Sequence, residues 1–111
     1  MHRLSASADV FHVVADRTRR GILDLLSAGE RPAKDIKARF SISQPSISKH
    51  LAVLKEAGLV SQRQEGRMRV YRLEADGLQE IFDWCRQYEK FWDLKLEGLG
   101  RYLDRRKRAN Q

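Results

Sequence analysis

Apolar residues recur along most of this chain at steps of three and four, and one stretch near residue 60 breaks the rhythm. Val10, Phe11, Val13 and Val14 cluster in a first helix that Ser5 or Ser7 can cap and that runs to about Ala15. Ile22, Leu25 and Leu26 give a second helix from Arg17 to Ser27, with Gly29 just past its end. Pro32 suits the first turn of a short third helix over 32–40, with Ala33, Ile36 and Phe40 turned inward. After the break Ser41-Ile42-Ser43, Ser43 caps a fourth helix from Gln44 to Ala57. Pro45 lies in its first turn, Ile47, Leu51 and Leu54 form an i, i+4, i+7 stripe, and Gly58 closes it.

The period then shortens. Leu59–Glu65 and Met68–Leu73 are β-rich runs joined through Gly66-Arg67, a pair that suits a tight type II′ hairpin. The simplest register puts Val60, Tyr71 and Leu73 on one inner face. From about Asp76 to Leu103 the helical period returns as one long helix, with Leu78, Ile81, Phe82, Cys85, Tyr88, Trp92, Leu96, Leu99 and Leu103 in its stripe. Trp84, Phe91 and Leu94 add a second apolar line, so this helix needs more than one surface to cover it. The order α-α-α-α-β-β-α predicts a mainly α (α+β) winged helix-turn-helix in a single domain over 1–111. Its helix-turn-helix spans 32–57 and its wing 59–73, flanked by helices at about 6–15 and 76–103.

Composition narrows the class. At 41% hydrophobic and 33% charged, the 111 residues have a globular balance. No run of about 18 apolar residues exists to cross a membrane. The N-terminus lacks a signal peptide's apolar core, so a cytoplasmic protein is expected. The single cysteine, Cys85, excludes an internal disulfide and a multi-cysteine zinc site, and its place on the apolar stripe predicts a buried, inert thiol.

The net charge of +7 is unevenly spread. Residues 17–72 hold 13 Lys or Arg against 5 Asp or Glu, whereas 73–104 hold 4 against 8. No acidic residue falls between Ile36 and Lys55, where Lys37, Arg39, Lys49 and Lys55 stand. The fourth helix is therefore a candidate reader of nucleic acid. It is a rod of roughly 20 Å at about 1.5 Å per residue, and a major groove is about 12 Å wide. Its first two turns offer Gln44, Ser46, Ser48, Lys49 and His50, side chains that hydrogen-bond to base edges or phosphates. The hairpin adds Arg63, Arg67, Arg69 and Arg72 against Glu65 alone, and an Arg at its tip can lie over the backbone or enter the minor groove.

These residues carry a resemblance. Ala15-Asp16-Arg17-Thr18-Arg19-Arg20-Gly21-Ile22-Leu23, Ser43-Gln44-Pro45-Ser46-Ile47-Ser48-Lys49-His50-Leu51, Leu54–Val60, Glu65-Gly66-Arg67 and Tyr71-Arg72-Leu73 together resemble the ArsR/SmtB family of bacterial winged-helix repressors, over about residues 8–103. The resemblance implies a homodimer, built mainly from the first and last helices, that sits on a double-stranded DNA operator and represses transcription. By position it implies Gln44, Ser46, Ser48, Lys49 and His50 as readers and Arg67 as part of the wing. The Arg17–Arg20 motif is similar to the family's start of the second helix, where it serves structure and can touch phosphate. The expected interface residues are Val10, Phe11, Val14, Trp84, Tyr88, Phe91, Trp92, Leu96 and Leu99.

Many members of that family sense metals through a cysteine pair in the third helix or Asp/His/Glu clusters in the last. Here the third helix has no cysteine and the last has no histidine, so no metal and no cofactor are expected. Asp93 and Glu97 are expected to pair with Lys90, Lys95 or Arg101. The resemblance is closest to the non-metal branch, whose members are autorepressors or are relieved by an organic ligand or a protein partner. No enzyme is expected either. Ser46-Ile47-Ser48-Lys49 matches the S-x-x-K of serine acyl-enzymes by chance, because its companion motifs are missing. The alternative is a winged-helix module for a protein or RNA partner. RNA recognition favours aromatics on the binding face, and here Trp84, Tyr88, Phe91 and Trp92 all lie in the acidic last helix.

Overall fold

The computed structural model describes residues 9–109, without the side chains of Leu94 and 107–109. Ser5, Ser7 and His2 therefore lie outside the described residues. The first helix, α1 (Val10–Val14), is capped by Asp9, whose carboxylate accepts from the Phe11 N–H at 3.0 Å. It starts later than a cap at Ser5 or Ser7 would place it, because an acceptor stands directly before Val10. Asp16 caps α2 (Arg17–Ser27) in the same way, through the Arg19 N–H at 2.9 Å.

The segment after α2 differs from expectation. Arg31 and Pro32 form a two-residue strand, β1, and α3 covers only Ala33–Ala38. Pro32, expected inside the helix, is extended at ψ 148° and precedes it. Phe40 follows the helix, half-buried against the core. The fourth helix forms as expected: α4 is Gln44–Glu56, with Ser43 accepting from the Ser46 N–H at 3.2 Å and Pro45 in the first turn.

Strands β2 (Val60–Glu65) and β3 (Met68–Leu73) pair antiparallel from Glu65↔Met68 to Val60↔Leu73, and β1 joins the far side of β3 to give the order β1-β3-β2. At the turn Gly66 has φ +63°, and among the described residues none other than glycine has positive φ. That pairing of signs is type II′, since type I′ would need positive φ at Arg67 as well. Val60 and Tyr71 enter the core and Leu73 packs on it.

The chain forms two compact units, one reaching Ile81 and one beginning at Phe82. The first closes around Val13, Ile22, Ile36, Ile47, Leu51, Leu54 and Leu59, all at most 2% exposed. The expected single last helix is instead a 3₁₀ turn (Ala75–Leu78), α5 (Gln79–Arg86) and α6 (Glu89–Ala109), so the helical backbone outlasts Leu103. Gln87 and Tyr88 separate the last two. There the Tyr88 N–H bonds back to Cys85 O at 2.9 Å, and Gln87 Nε2 donates to Trp84 O. In the second unit the stripe is not a core: Phe82, Trp84, Phe91, Trp92, Leu96, Leu99 and Leu103 are each more than half exposed. Cys85 is exposed too, against the expectation of a buried thiol, and it lines an open concavity of about 420 Å³ with Phe82, Arg86, Glu89 and Trp92. Glu97 pairs with Arg101 at 3.9 Å, one of the expected helical pairs.

Candidate nucleic-acid interface

Burial of one stripe decides what α4 shows to solvent. With Ile47, Leu51 and Leu54 locked inward, 3.6 residues per turn sets Lys49 and Ala52 outermost, and both are exposed. Gln44 and Ser48 are exposed on the flank that faces α3 and the hairpin, where they line shallow clefts with Lys34, Lys37 and Arg69. Two of the five expected readers are otherwise engaged. Ser46 sits in the cap, its hydroxyl accepting from Ser43 Oγ at 2.9 Å. His50 projects from the opposite flank onto α2: its Nδ1 lies 3.3 Å from an Arg19 guanidinium nitrogen and 3.9 Å from Asp16 Oδ2, and its side chain is 20% exposed. The structure thus places His50 as a tie between α2 and the fourth helix.

That tie continues to α1. Arg19 Nε donates to Val13 O at 2.7 Å, and Arg20 donates to Val14 O and Ala15 O. A helix end leaves carbonyls without intrahelical donors, and two guanidiniums supply them here. The Arg17–Arg20 motif therefore has a structural part. The Asp16 carboxyl is held below the ordinary aspartate value, first by the Arg19 backbone N–H and then by the charges of His50 and Arg19.

The hairpin arginines divide by strand parity. Arg69 shares a face with Gln62, Gln64 and Tyr71, the face turned to α3 and α4. Arg63 and Arg72 point to the other. Arg63, expected on DNA, makes two bonds to Glu30 (2.9 and 2.6 Å) and two to Glu65 (2.9 and 2.6 Å). Glu30 is held below the usual carboxylate range by the Arg63 bonds, and Glu74 by bonds from Ser61 and Arg72. Among the described residues, Lys34, Lys37, Lys49, Arg67 and Arg69 have no carboxylate within ion-pairing distance. The available positive charge thus includes the outer face of α4, the hairpin tip, and Lys34 and Lys37 of α3, of which Lys37 was named from the sequence in the basic block and Lys34 was missed. Their i, i+3 spacing, flanking the inward Ile36, was the signal for it.

Of the expected interface residues, Val10 is packed in the chain's own core at 5% exposure, with Phe11 and Val14 half-buried against it. Trp84, Tyr88, Phe91, Trp92, Leu96 and Leu99 are exposed, and Trp84 meets Tyr88 edge-on at 5.6 Å. Among the described residues no group of three or more His, Cys, Asp or Glu could hold a metal ion. No helix there is long and apolar enough to cross a membrane.

A capped helix with a polar outer face, a short helix packed before it and a basic hairpin beside it define a winged helix-turn-helix regulator that binds DNA. Residues 14–63 match the family model described as a helix-turn-helix domain. The chain is 45% identical to the transcriptional repressor SdpR of Bacillus subtilis (strain 168), over 68% of this chain and 84% of that protein. It is 34% identical to the HTH-type transcriptional regulator Rv2034 of Mycobacterium tuberculosis H37Rv, over 85% of each. A solved ArsR-like transcriptional regulator from Rhodococcus sp. RHA1 superposes with a TM-score of 0.64 at 30% identity, over 84% of this chain and 88% of that one. The chain belongs to the ArsR family of winged-helix transcriptional repressors.

Proposed function

We propose that the protein is a cytoplasmic, homodimeric repressor, without catalytic activity, that reads an inverted-repeat operator. The observation that carries this reading is the locked inward stripe of α4, which leaves Gln44, Ser48 and Lys49 outward on a surface free of acidic residues from Ile36 to Lys55. Gln44 and Ser48 supply hydrogen bonds to base edges, Lys49 a contact to guanine or phosphate, and Arg67 at the hairpin tip a contact in the neighbouring minor groove. Two copies present two reading helices roughly 34 Å apart, one helical turn of DNA. The exposed aromatic stripe of α5 and α6 supports the pairing of copies, because aromatic anchors of this kind dominate interfaces.

The test is a titration against the DNA upstream of the protein's own gene, a shuffled duplex and a matched RNA hairpin, each at two salt concentrations. Tight binding to the first alone, with two subunits per site, is the expected result. Equal weak binding to all three would overturn the reading and leave a non-specific basic patch. The expected result would leave the inducer, an organic ligand or a protein partner, to be sought by its release of the complex.

A further inference from the structure

Three open concavities lie on the face that carries Gln44, Ser48 and Arg69, and one side chain lines all of them. Lys37 borders the groove of about 630 Å³ between α3 and the hairpin, the one of about 390 Å³ beside Gln44, and the cleft of about 180 Å³ beside Ser48. Lys34 shares the first two, and Arg69 the first and the third. The one carboxylate on these walls is Asp35. Lys37 is half-buried, and its ammonium has no carboxylate partner among the described residues.

Duplex geometry gives this arrangement a meaning. An adjacent major and minor groove share one sugar–phosphate strand as their common wall. A protein that sets a helix in the first and a hairpin tip in the second must let that strand pass over whatever surface joins the two. In this chain that surface is Lys34, Lys37 and Arg69. We infer that these three side chains form a cationic saddle for the phosphodiester run between the groove read by α4 and the groove reached by Arg67. The inference rests on the DNA-reading proposal above and adds a site on α3. The saddle binds charge, carries no sequence information and fixes the depth at which α4 sits.

The experiment compares the full-length protein with Lys37→Ala, Lys34→Ala, the double variant and Lys37→Arg, on operator and shuffled duplex across a salt series. Thermal unfolding checks that each variant folds. Each neutralised phosphate contact contributes about 0.9 to the slope of log affinity against log salt. Each alanine should lower the slope by about 0.9 and the double variant by about 1.8, with the operator-to-shuffled ratio unchanged, while Lys37→Arg keeps the full slope. A duplex with neutral methylphosphonates on the shared strand should weaken the wild type more than the double variant, which keeps only the Arg69 contact to lose. A folded double variant with the wild-type slope, or one that loses discrimination along with affinity, overturns the saddle while the reading by α4 stands. A wild type without operator preference overturns both.

Discussion

The two units of this chain use the same helical spacing of apolar residues to different ends. In the first, the stripe of α4 disappears: Ile47 and Leu54 are at 0% exposure and Leu51 at 2%. In the second, Trp92 keeps 64% of its surface and Leu96 62%, although their spacing is as regular. Periodicity says that a face must be covered, and it is silent about what covers it. The first unit has four helices and a sheet to close over one another. The second has two helices and more apolar surface than they can hide.

Deep truncation of the core should give the largest contrast. Leu54→Ala is expected to cost about 2–5 kcal/mol, and at roughly 4–8 °C per kcal/mol for a domain of this size its thermal midpoint should fall by about eight degrees or more. Trp92→Ala tests the other side. It should leave that midpoint nearly unchanged at low concentration while weakening self-association about 30-fold, as removal of an aromatic anchor worth about 2 kcal/mol would. Sedimentation over a dilution series reads it. If Trp92→Ala unfolds the chain and leaves association alone, the contrast between the units is wrong.

Smaller effects sharpen the picture within the first unit. A Cβ on Gly77 would lie 2.5 Å from the Gly58 carbonyl oxygen, which is backbone and cannot swing aside. Gly77→Ala should therefore cost about 1–3 kcal/mol by denaturant titration, as overpacking does. Loss of the α2 cap in Asp16→Ala should cost about 1 kcal/mol. The wild type should also be more acid-sensitive than this variant. The Asp16 carboxyl is lowered in the folded state, so its stabilisation is present above the ordinary value of 3.8 and is lost as falling pH protonates the folded form. Denaturation midpoints at pH 7 and pH 3 check this. Smallest of all, Arg67→Ala should lower the salt slope of DNA binding by about 0.9, whereas Arg63→Ala, already bound by Glu30 and Glu65, should leave it unaltered.

Legibility followed the locality of the signals. The fourth helix could be placed to within a residue because its cap, its proline and its stripe all fall inside fifteen positions. The hairpin register followed from Gly66-Arg67, and with it the parity that separates Arg69 from Arg63 was already readable. That Arg63 is held by Glu30 was not, because Glu30 stands 33 residues away. The role of His50 was hidden for the same reason: Arg19 lies 31 residues back. Strand β1 is two residues long and contains a proline, so no alternation could announce it. The break at Gln87 has neither glycine nor proline, and the uninterrupted apolar spacing across it reads as a continuous helix. Cys85 was assigned to a core on spacing alone, in the one region where spacing and burial part company.

Pro32 in β1 has a consequence for how copies of this chain can meet. A sheet edge is a template on which another chain's strand can be laid down, and a long flat edge invites open-ended, fibrous growth. At the β1 edge an incoming strand would find two residues, one of them with no N–H to give. The opposite edge, β2, carries Arg63, Gln64 and Glu65, charged and polar side chains of the sort that discourage strand addition. Both margins of the sheet thus carry features that discourage templating, in a protein that leaves many aromatic side chains uncovered.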